Sequence, residues 1–118
     1  MRILVTGSRD WDDPMTIYMA LEEARGDTPH GQVVLIHGGA RGADFAAHCY
    51  AEAMDWGIEV HHAYWMEYGR KAGIFRNIRM VDSGVDICLA FIKNGSRGAT
   101  QCAGYAESKG IPVRRYVA

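Results

Sequence analysis

The sequence predicts a small doubly wound α/β domain with a mostly parallel five-stranded sheet and helices on both faces. Short apolar runs alternate with segments of helical periodicity along the chain, which is typical of βαβ units with buried parallel strands. Glycine-rich turns follow three of these runs, where a strand would pass into a helix. A length of 118 residues with 48% hydrophobic content fits one domain spanning residues 1–118.

Five runs of apolar and β-branched residues predict the strands. The run 87–92 is apolar throughout and predicts a strand buried on both faces. The third run has polar residues at its end. The five predicted strands are residues 3–6, 33–36, 58–64, 87–92 and 113–117.

The first predicted helix has a clear start, because Asp13 is a favoured N-cap residue and Pro14 is favoured at the first helical position. Apolar residues at helical spacing carry this helix to about Arg25. A second helix, ended by Gly57, has an apolar face. A third covers 68–82, although Gly69 and Gly73 disfavour its first turns, and a fourth follows residue 98. The predicted apolar faces are Phe45, Cys49, Ala53 and Trp56 for the second, Phe75, Ile78 and Val81 for the third, and Ala99, Ala103 and Ala106 for the fourth.

Composition restricts the compartment and the partners. Cys49, Cys88 and Cys102 lie in apolar patterns without metal-ligand spacing, so we expect reduced core residues of a cytoplasmic protein. Nothing resembles a signal peptide or a membrane-spanning segment. The formal net charge of -1 excludes a global basic field, so any contact with nucleic acid would have to be local.

Three turns share one construction, in which glycine follows an apolar run and precedes a helix. They are 7–10 (GSRD), 37–44 (HGGARGAD) and 95–98 (GSRG). Glycine lets backbone N–H groups approach a ligand, and a helix N-terminus favours negative charge. Since the carboxyl ends of parallel strands meet at one edge of a sheet, the turns predict a shared phosphate site.

The charged residues near this edge have both functional and structural interpretations. Arg9, Arg41, Arg76 and Arg97 suit bidentate contact with phosphate, whereas any one of them could form a surface salt bridge. Arg79 is expected to pair with Asp82 or a neighbouring subunit. Asp10 and Asp44 are candidate catalytic acids, yet either could serve only as a helix or turn cap.

Other side chains near this edge are weaker candidates. His61 and His62 would point to opposite faces of a strand, which argues against a metal site. Four aromatic residues could stack on a base or belong to the core or an interface: Trp11, Tyr64, Trp65 and Tyr68.

The motifs 5–10 and 37–44, the pair Ala72-Gly73 followed by Arg76-Asn77, and 95–98 together resemble the YspA-like branch of the SLOG superfamily. That superfamily also contains the Lonely Guy phosphoribohydrolases and the DNA-processing protein DprA. The resemblance covers nearly the whole chain in the right order and spacing. It implies a Rossmann-like fold, a nucleotide or nucleotide-derived ligand, and a homo-oligomer.

The resemblance and the turns together nominate the ligand-binding residues. No cofactor and no metal are implied. The nominated residues are Gly7, Ser8, Arg9, Gly38, Gly39, Ala40, Arg41, Gly42, Arg76, Asn77, Gly95, Ser96, Arg97 and Gly98.

One departure from the family pattern bears on catalysis. Superfamily members that cleave nucleotides carry a late Pro-Gly-Gly-x-Gly-Thr-x-x-Glu motif with a catalytic glutamate. The matching stretch here is 94–102, with Ala99 in place of the threonine and Cys102 in place of the glutamate. Because stabilising an oxocarbenium-like transition state needs a carboxylate, Cys102 cannot take that role. A cleaving enzyme would have to use another acid, such as Asp10 or Asp44.

Two classes of function therefore stay open, with a third behind them. The first is a sensor or carrier domain that binds a nucleotide-derived ligand without chemistry. The second is a nucleoside monophosphate N-glycosidase with a non-standard acid. The third, DprA-like binding of single-stranded DNA, is disfavoured by the near-zero net charge and the lack of a basic aromatic groove.

Overall fold

The computed structural model describes residues 1–118 and forms a five-stranded sheet in the order β3-β2-β1-β4-β5. All four strand pairings are parallel, which confirms the predicted fold class. The strands are β1 (Arg2–Gly7), β2 (Val34–His37), β3 (Gly57–Val60), β4 (Ile87–Ile92) and β5 (Val113–Val117).

Five α-helices and two short 3-10 turns connect the strands. The 3-10 turns span His30–Gln32 and Gly69–Lys71. The helices are α1 (Pro14–Arg25), α2 (Ala43–Ala53), α3 (Trp65–Tyr68), α4 (Ala72–Asp82) and α5 (Arg97–Ser108). None of these helices is both long enough and apolar enough to cross a membrane.

The helices cover both faces of the sheet, because alternate residues of each strand point to opposite sides. On one face Ile3 and Val5 pack with buried residues of α1 and α2. On the other face Leu4 and Cys88 pack with buried residues of α4 and α5. Strand β4, which lies between β1 and β5, is buried along its whole length, as its apolar sequence predicts.

Helix α1 confirms its predicted boundaries. Asp13 accepts a hydrogen bond from the backbone N–H of Thr16 at 3.3 Å, and Pro14 occupies the first helical position. The helix ends at Arg25, before Gly26, whose φ is 53°.

The predicted apolar face of α2 is wrong. Phe45 is 63% exposed, Cys49 is also exposed, and Trp56, although buried, lies beyond the end of the helix. The buried face consists of small residues instead, namely Ala43, Ala47 and Ala51. Small side chains let α2 approach the sheet closely, so close packing buries the face of small residues and leaves Phe45 exposed. The expectation that all three cysteines are core residues therefore holds for Cys88 and Cys102 only.

Two further boundaries differ from expectation. The third strand ends at Val60, so residues 61–64 form a loop. The predicted helix 68–82 is interrupted at Gly69, whose φ of 57° ends α3 before α4 begins at Ala72. Arg79 does not pair with Asp82. Its guanidinium donates instead to the His62 carbonyl oxygen at 2.6 Å and lies over the ring of Tyr64.

Candidate functional site

A cleft of about 570 Å³ lies at the carboxyl ends of β1 and β4. The strand order reverses at this point, since the chain runs outward from β1 through β2 to β3 before crossing to β4 on the other side. Ligands of open parallel sheets bind at such switch points. The lining comprises Thr6, Gly7, Ser8, Arg9, Asp10, Ala40, Asp44, Trp65, Arg70, Gly73, Ile74, Arg76, Asn77, Met80, Lys93, Asn94, Ser96, Arg97, Gly98, Ala99 and Gln101.

The sequence predicts that many of these residues lie at the carboxyl-end edge of the sheet, and most of the nominated residues line the cleft in the structure. Of the nominated residues, Gly38, Gly39, Arg41, Gly42 and Gly95 do not line it. The side chain of Arg41 is exposed outside the cleft.

The loop after β1 is joined to the loop after β4 by Ser8. Its hydroxyl accepts a hydrogen bond from the Lys93 N–H at 2.7 Å and donates to the Lys93 carbonyl oxygen at 3.2 Å. Ser8 is only 2% exposed. This side chain therefore fixes the two loops that form the floor of the cleft, and its hydroxyl has little capacity left for a ligand.

Three backbone N–H groups of the second glycine turn bind within the chain, whereas those of Arg41 and Gly42 have no partner in the chain. Those of Gly38 and Ala40 donate to Oδ2 of Asp44 at 3.0 and 3.3 Å, and that of Gly39 donates to Nδ1 of His37 at 2.9 Å. These three donors shape the loop. They are not free to contact a phosphate in this conformation.

Asp44 lies in the first turn of α2 and is 4% exposed. Its Oδ2 organises the glycine turn, whereas its Oδ1 is buried without a hydrogen-bond partner. Burial raises the pKa of Asp44 to about 6, against the lowering effect of the two N–H groups and of nearby Arg76 and Arg9. It is the one buried carboxylate of the cleft wall.

His37 lies behind the glycine turn and does not line the cleft. Its Nε2 is 2.9 Å from Nδ1 of His48, whose own Nε2 contacts Glu52 at 2.7 Å. Since Nδ1 of His37 accepts from the Gly39 N–H, the ring is the neutral Nε2–H tautomer. Burial and the neighbouring His48 lower the pKa of His37 to about 4. Its role in this structure is to support the turn.

The N-terminus of α5 forms the opposite wall. Ser96, Arg97, Gly98 and Ala99 all line the cleft, and no side chain caps the helix. The backbone N–H groups of residues 97–99 have no hydrogen-bond partner within the chain. Free amides at the start of a 12-residue helix carry partial positive charge and suit an anion.

Arg76 and Asn77 connect α4 to both walls. Arg76 donates from Nη1 to the Gly38 carbonyl oxygen and from Nε to Oδ1 of Asn77, each at 2.8 Å. Asn77 is 3% exposed and donates from Nδ2 to the Gly98 carbonyl oxygen and to Gln101. The side chain of Asn77 therefore joins α4 to the first turns of α5. It holds Arg76 and the start of α5 in fixed relation.

The cleft is locally positive although the chain has a net charge of -1. Two carboxylates line it, and Asp10 accepts a hydrogen bond from Asn94 across its mouth at 3.0 Å. The basic side chains of the lining outnumber these acids. They are Arg9, Arg70, Arg76, Lys93 and Arg97.

Several residues of the cleft lining are not predicted from the sequence. Lys93 and Asn94 directly follow β4, so their position at a strand end was a usable signal. Arg70 and Ile74 carry no such signal, because the irregular path from α3 to α4 alone brings them to the cleft. Among the four aromatic candidates, Trp65 lines the cleft, Trp11 packs against Phe91 in the core, and Tyr64 and Tyr68 line a separate groove.

Cys102 does not reach the cleft. It is fully buried and packs with Leu4 and Cys88 against the sheet. The position that corresponds to the glutamate of cleaving enzymes therefore contributes no carboxylate here. No group of three or more His, Cys, Asp or Glu side chains could hold a metal ion.

A protein family and a phage protein are similar to this chain. The sequence profile of the YspA, cpYpsA-related SLOG family matches residues 1–68. The chain is also 45% identical over 121 residues to the Gene 61 protein of Mycobacterium phage D29, an alignment that covers 95% of this chain and 93% of the phage protein. No solved structure matches the chain.

Proposed function

Because the chain belongs to the YspA, cpYpsA-related SLOG family, we propose that its cleft binds a nucleotide or nucleotide-derived ligand as a sensor or carrier. One observation carries this proposal. The unpaired N–H groups of residues 97–99 belong to residues that line a cleft with more basic than acidic side chains. Such a combination suits an anionic ligand. A volume of about 570 Å³ suits a small molecule rather than a macromolecule.

The proposed roles follow from the two sides of the cleft. The phosphate accepts hydrogen bonds from the N–H groups at the start of α5, and Arg97 and Arg9 donate further, charged hydrogen bonds to it. The base packs near Trp65 and Ile74, which are half-exposed apolar side chains of the cleft lining. Gly38, Gly39 and Gly42 act indirectly, by shaping the loop that presents Asp44.

The test is a binding screen with nucleoside monophosphates, dinucleotides, cyclic nucleotides and the matching nucleosides. Mass spectrometry identifies retained compounds, and calorimetry gives their affinities. We expect Arg97→Ala to weaken the retained nucleotide by about tenfold, since a charged hydrogen bond contributes about 1.5–3 kcal/mol. The matching nucleoside should be affected far less.

Arg114→Ala is the matched control for lost positive charge. Arg114 is exposed on β5 and lies outside the cleft. Its loss should leave nucleotide affinity within about twofold of the wild type, because exposed charges beyond about 10 Å are largely screened. Retention of no compound, or equal losses in the two variants, would refute the proposal.

A nucleotide N-glycosidase is the second candidate, and Asp44 is the observation that favours it. Burial raises the pKa of Asp44 to about 6 at a position that lines the cleft, and functional carboxylates show such shifts. The same screen separates the candidates, since an enzyme releases free base. Release that persists in both Asp44→Ala and Asp10→Ala would exclude the two carboxylates as the acid.

A further inference from the structure

The two oxygens of Asp44 have unlike surroundings. Oδ2 accepts hydrogen bonds from the Gly38 and Ala40 N–H groups, at 3.0 and 3.3 Å. Oδ1 is buried and accepts none. The side chain is 4% exposed and lines the cleft. Burying a carboxylate oxygen without a hydrogen-bond donor lowers the folding equilibrium constant by a factor of several to about a hundred. The chain itself supplies no donor to this oxygen.

No basic side chain of the protein fills this role. Asp44 forms no salt bridge, since none of the chain's ion pairs includes it. Arg76 is the positive charge that lowers the pKa of Asp44 most. Its guanidinium instead donates hydrogen bonds to the Gly38 carbonyl oxygen and to Asn77. A molecule bound in the cleft can supply this donor.

The charge of the cleft restricts what that donor can be. An ammonium or guanidinium ligand would meet Arg9, Arg70, Arg76, Lys93 and Arg97, and like charges repel it. A neutral donor on an anionic ligand avoids this repulsion. The hydroxyl groups of a phosphorylated sugar are such donors.

We infer that Oδ1 of Asp44 accepts a hydrogen bond from a ribose hydroxyl of the bound ligand, so that the cleft selects ribonucleotides over deoxynucleotides. This inference rests on the proposed function. In this arrangement Asp44 binds the sugar, while the N–H groups at the start of α5 bind the phosphate.

The first test needs no variant. The ribonucleotide retained by the wild type is compared by calorimetry with its 2′-deoxy and 3′-deoxy analogues. We expect at least one analogue to bind about tenfold or more weakly, because removal of the hydroxyl leaves a buried acceptor unpaired.

Asp44→Asn gives the second test. Asparagine has nearly the same shape, so one oxygen can still accept from the Gly38 and Ala40 N–H groups, while an NH₂ group replaces the acceptor at the Oδ1 position. We expect the preference for the ribonucleotide to fall to within about twofold. A purely structural role for Asp44 would lower the affinity for both sugars and leave their ratio unchanged.

Asp10→Asn is the matched control, since it removes one negative charge from the same cleft. It should shift both affinities by a common factor and preserve their ratio. Equal binding of all sugars by the wild type, or a preference that survives in Asp44→Asn, overturns the inference and leaves nucleotide binding standing. Failure of every nucleotide to bind overturns both proposals.

Discussion

Asp44 has a second consequence, which concerns stability rather than binding. Burial raises its pKa from 3.8 to about 6 in the folded protein, so the folded state binds more protons than the unfolded state between these values. Stability therefore falls as the pH rises through this interval. Over the whole interval this carboxyl lowers the free energy of unfolding by roughly 3 kcal/mol.

We predict that the wild type loses stability relative to Asp44→Asn by roughly this amount between about pH 4 and pH 7. Urea unfolding of both proteins at several pH values measures the difference. The comparison is necessary because His37 acts in the opposite sense. The pKa of His37 is lowered to about 4 in the folded protein, so the folded state binds fewer protons than the unfolded state. The stability that neutral His37 contributes is therefore lost as the pH falls below the pKa of this histidine in the unfolded chain. A difference between the two proteins that does not change with pH would contradict the prediction.

At the same scale, the sequence shows which residue types gather at the sheet edge but not which of their atoms are free. The motif 37–44 predicts a phosphate cradle, yet the N–H groups of Gly38, Gly39 and Ala40 bind Asp44 and His37. Local side-chain acceptors can compete for the backbone donors of a turn. The outcome depends on rotamers and burial, which residue identity does not determine.

At the scale of elements, the entry into α2 depends on Gly42. Its φ is 75° and its ψ is -122°. A Cβ atom here would lie 2.5 Å from the carbonyl oxygens of Ser8 and Arg9, so the loop after β1 and the start of α2 pack backbone to backbone. Only glycine allows this approach.

Gly26 gives a matched control at the end of α1, since its φ of 53° and ψ of -120° are similar while nothing lies within 4 Å of its added Cβ. We predict that Gly42→Ala lowers the free energy of unfolding by at least about 2 kcal/mol more than Gly26→Ala. Both variants carry the backbone strain, and only the first carries the clash. Equal losses in urea unfolding would show that the loop relaxes without penalty.

Element identity follows from sequence wherever one strong local signal dominates. The apolar run of β4 and the Asp13-Pro14 start of α1 both predict their elements correctly. The apolar face of α2 fails because Phe45 is large and apolar yet 63% exposed, whereas the alanines opposite are buried. Hydrophobic periodicity cannot choose between two such faces when close packing favours the smaller one.

At the scale of the whole molecule, the alternation of strands and helices was sufficient to predict the parallel sheet. The sequence also places the site at the carboxyl ends of the strands, whereas its position between β1 and β4 requires the strand order of the structure. The contribution of the segment from α3 to α4 follows only in part, since Trp65, Arg76 and Asn77 are named from the sequence whereas Arg70 is not. Arg70 and Trp65 reach the cleft through an irregular segment interrupted at Gly69. The predicted homo-oligomer stays a prediction.

The charge distribution of the whole chain leads to a last prediction. The net charge is -1, yet five basic and two acidic side chains line the cleft. The attraction felt by an anionic ligand is therefore local, and salt screens it over about 10 Å at 0.1 M and about 3 Å at 1 M. We predict that nucleotide affinity falls severalfold between about 0.05 and 0.5 M salt, whereas that of the matching nucleoside changes little.

Calorimetry at several salt concentrations measures both dependences. Arg97→Ala should give a shallower dependence for the nucleotide, because one positive charge of the cleft is gone. Arg114→Ala removes the same charge outside the cleft and should keep the dependence of the wild type. Parallel salt dependence of nucleotide and nucleoside would mean that the phosphate does not lie among the basic residues, and would place the binding energy on the apolar side of the cleft instead.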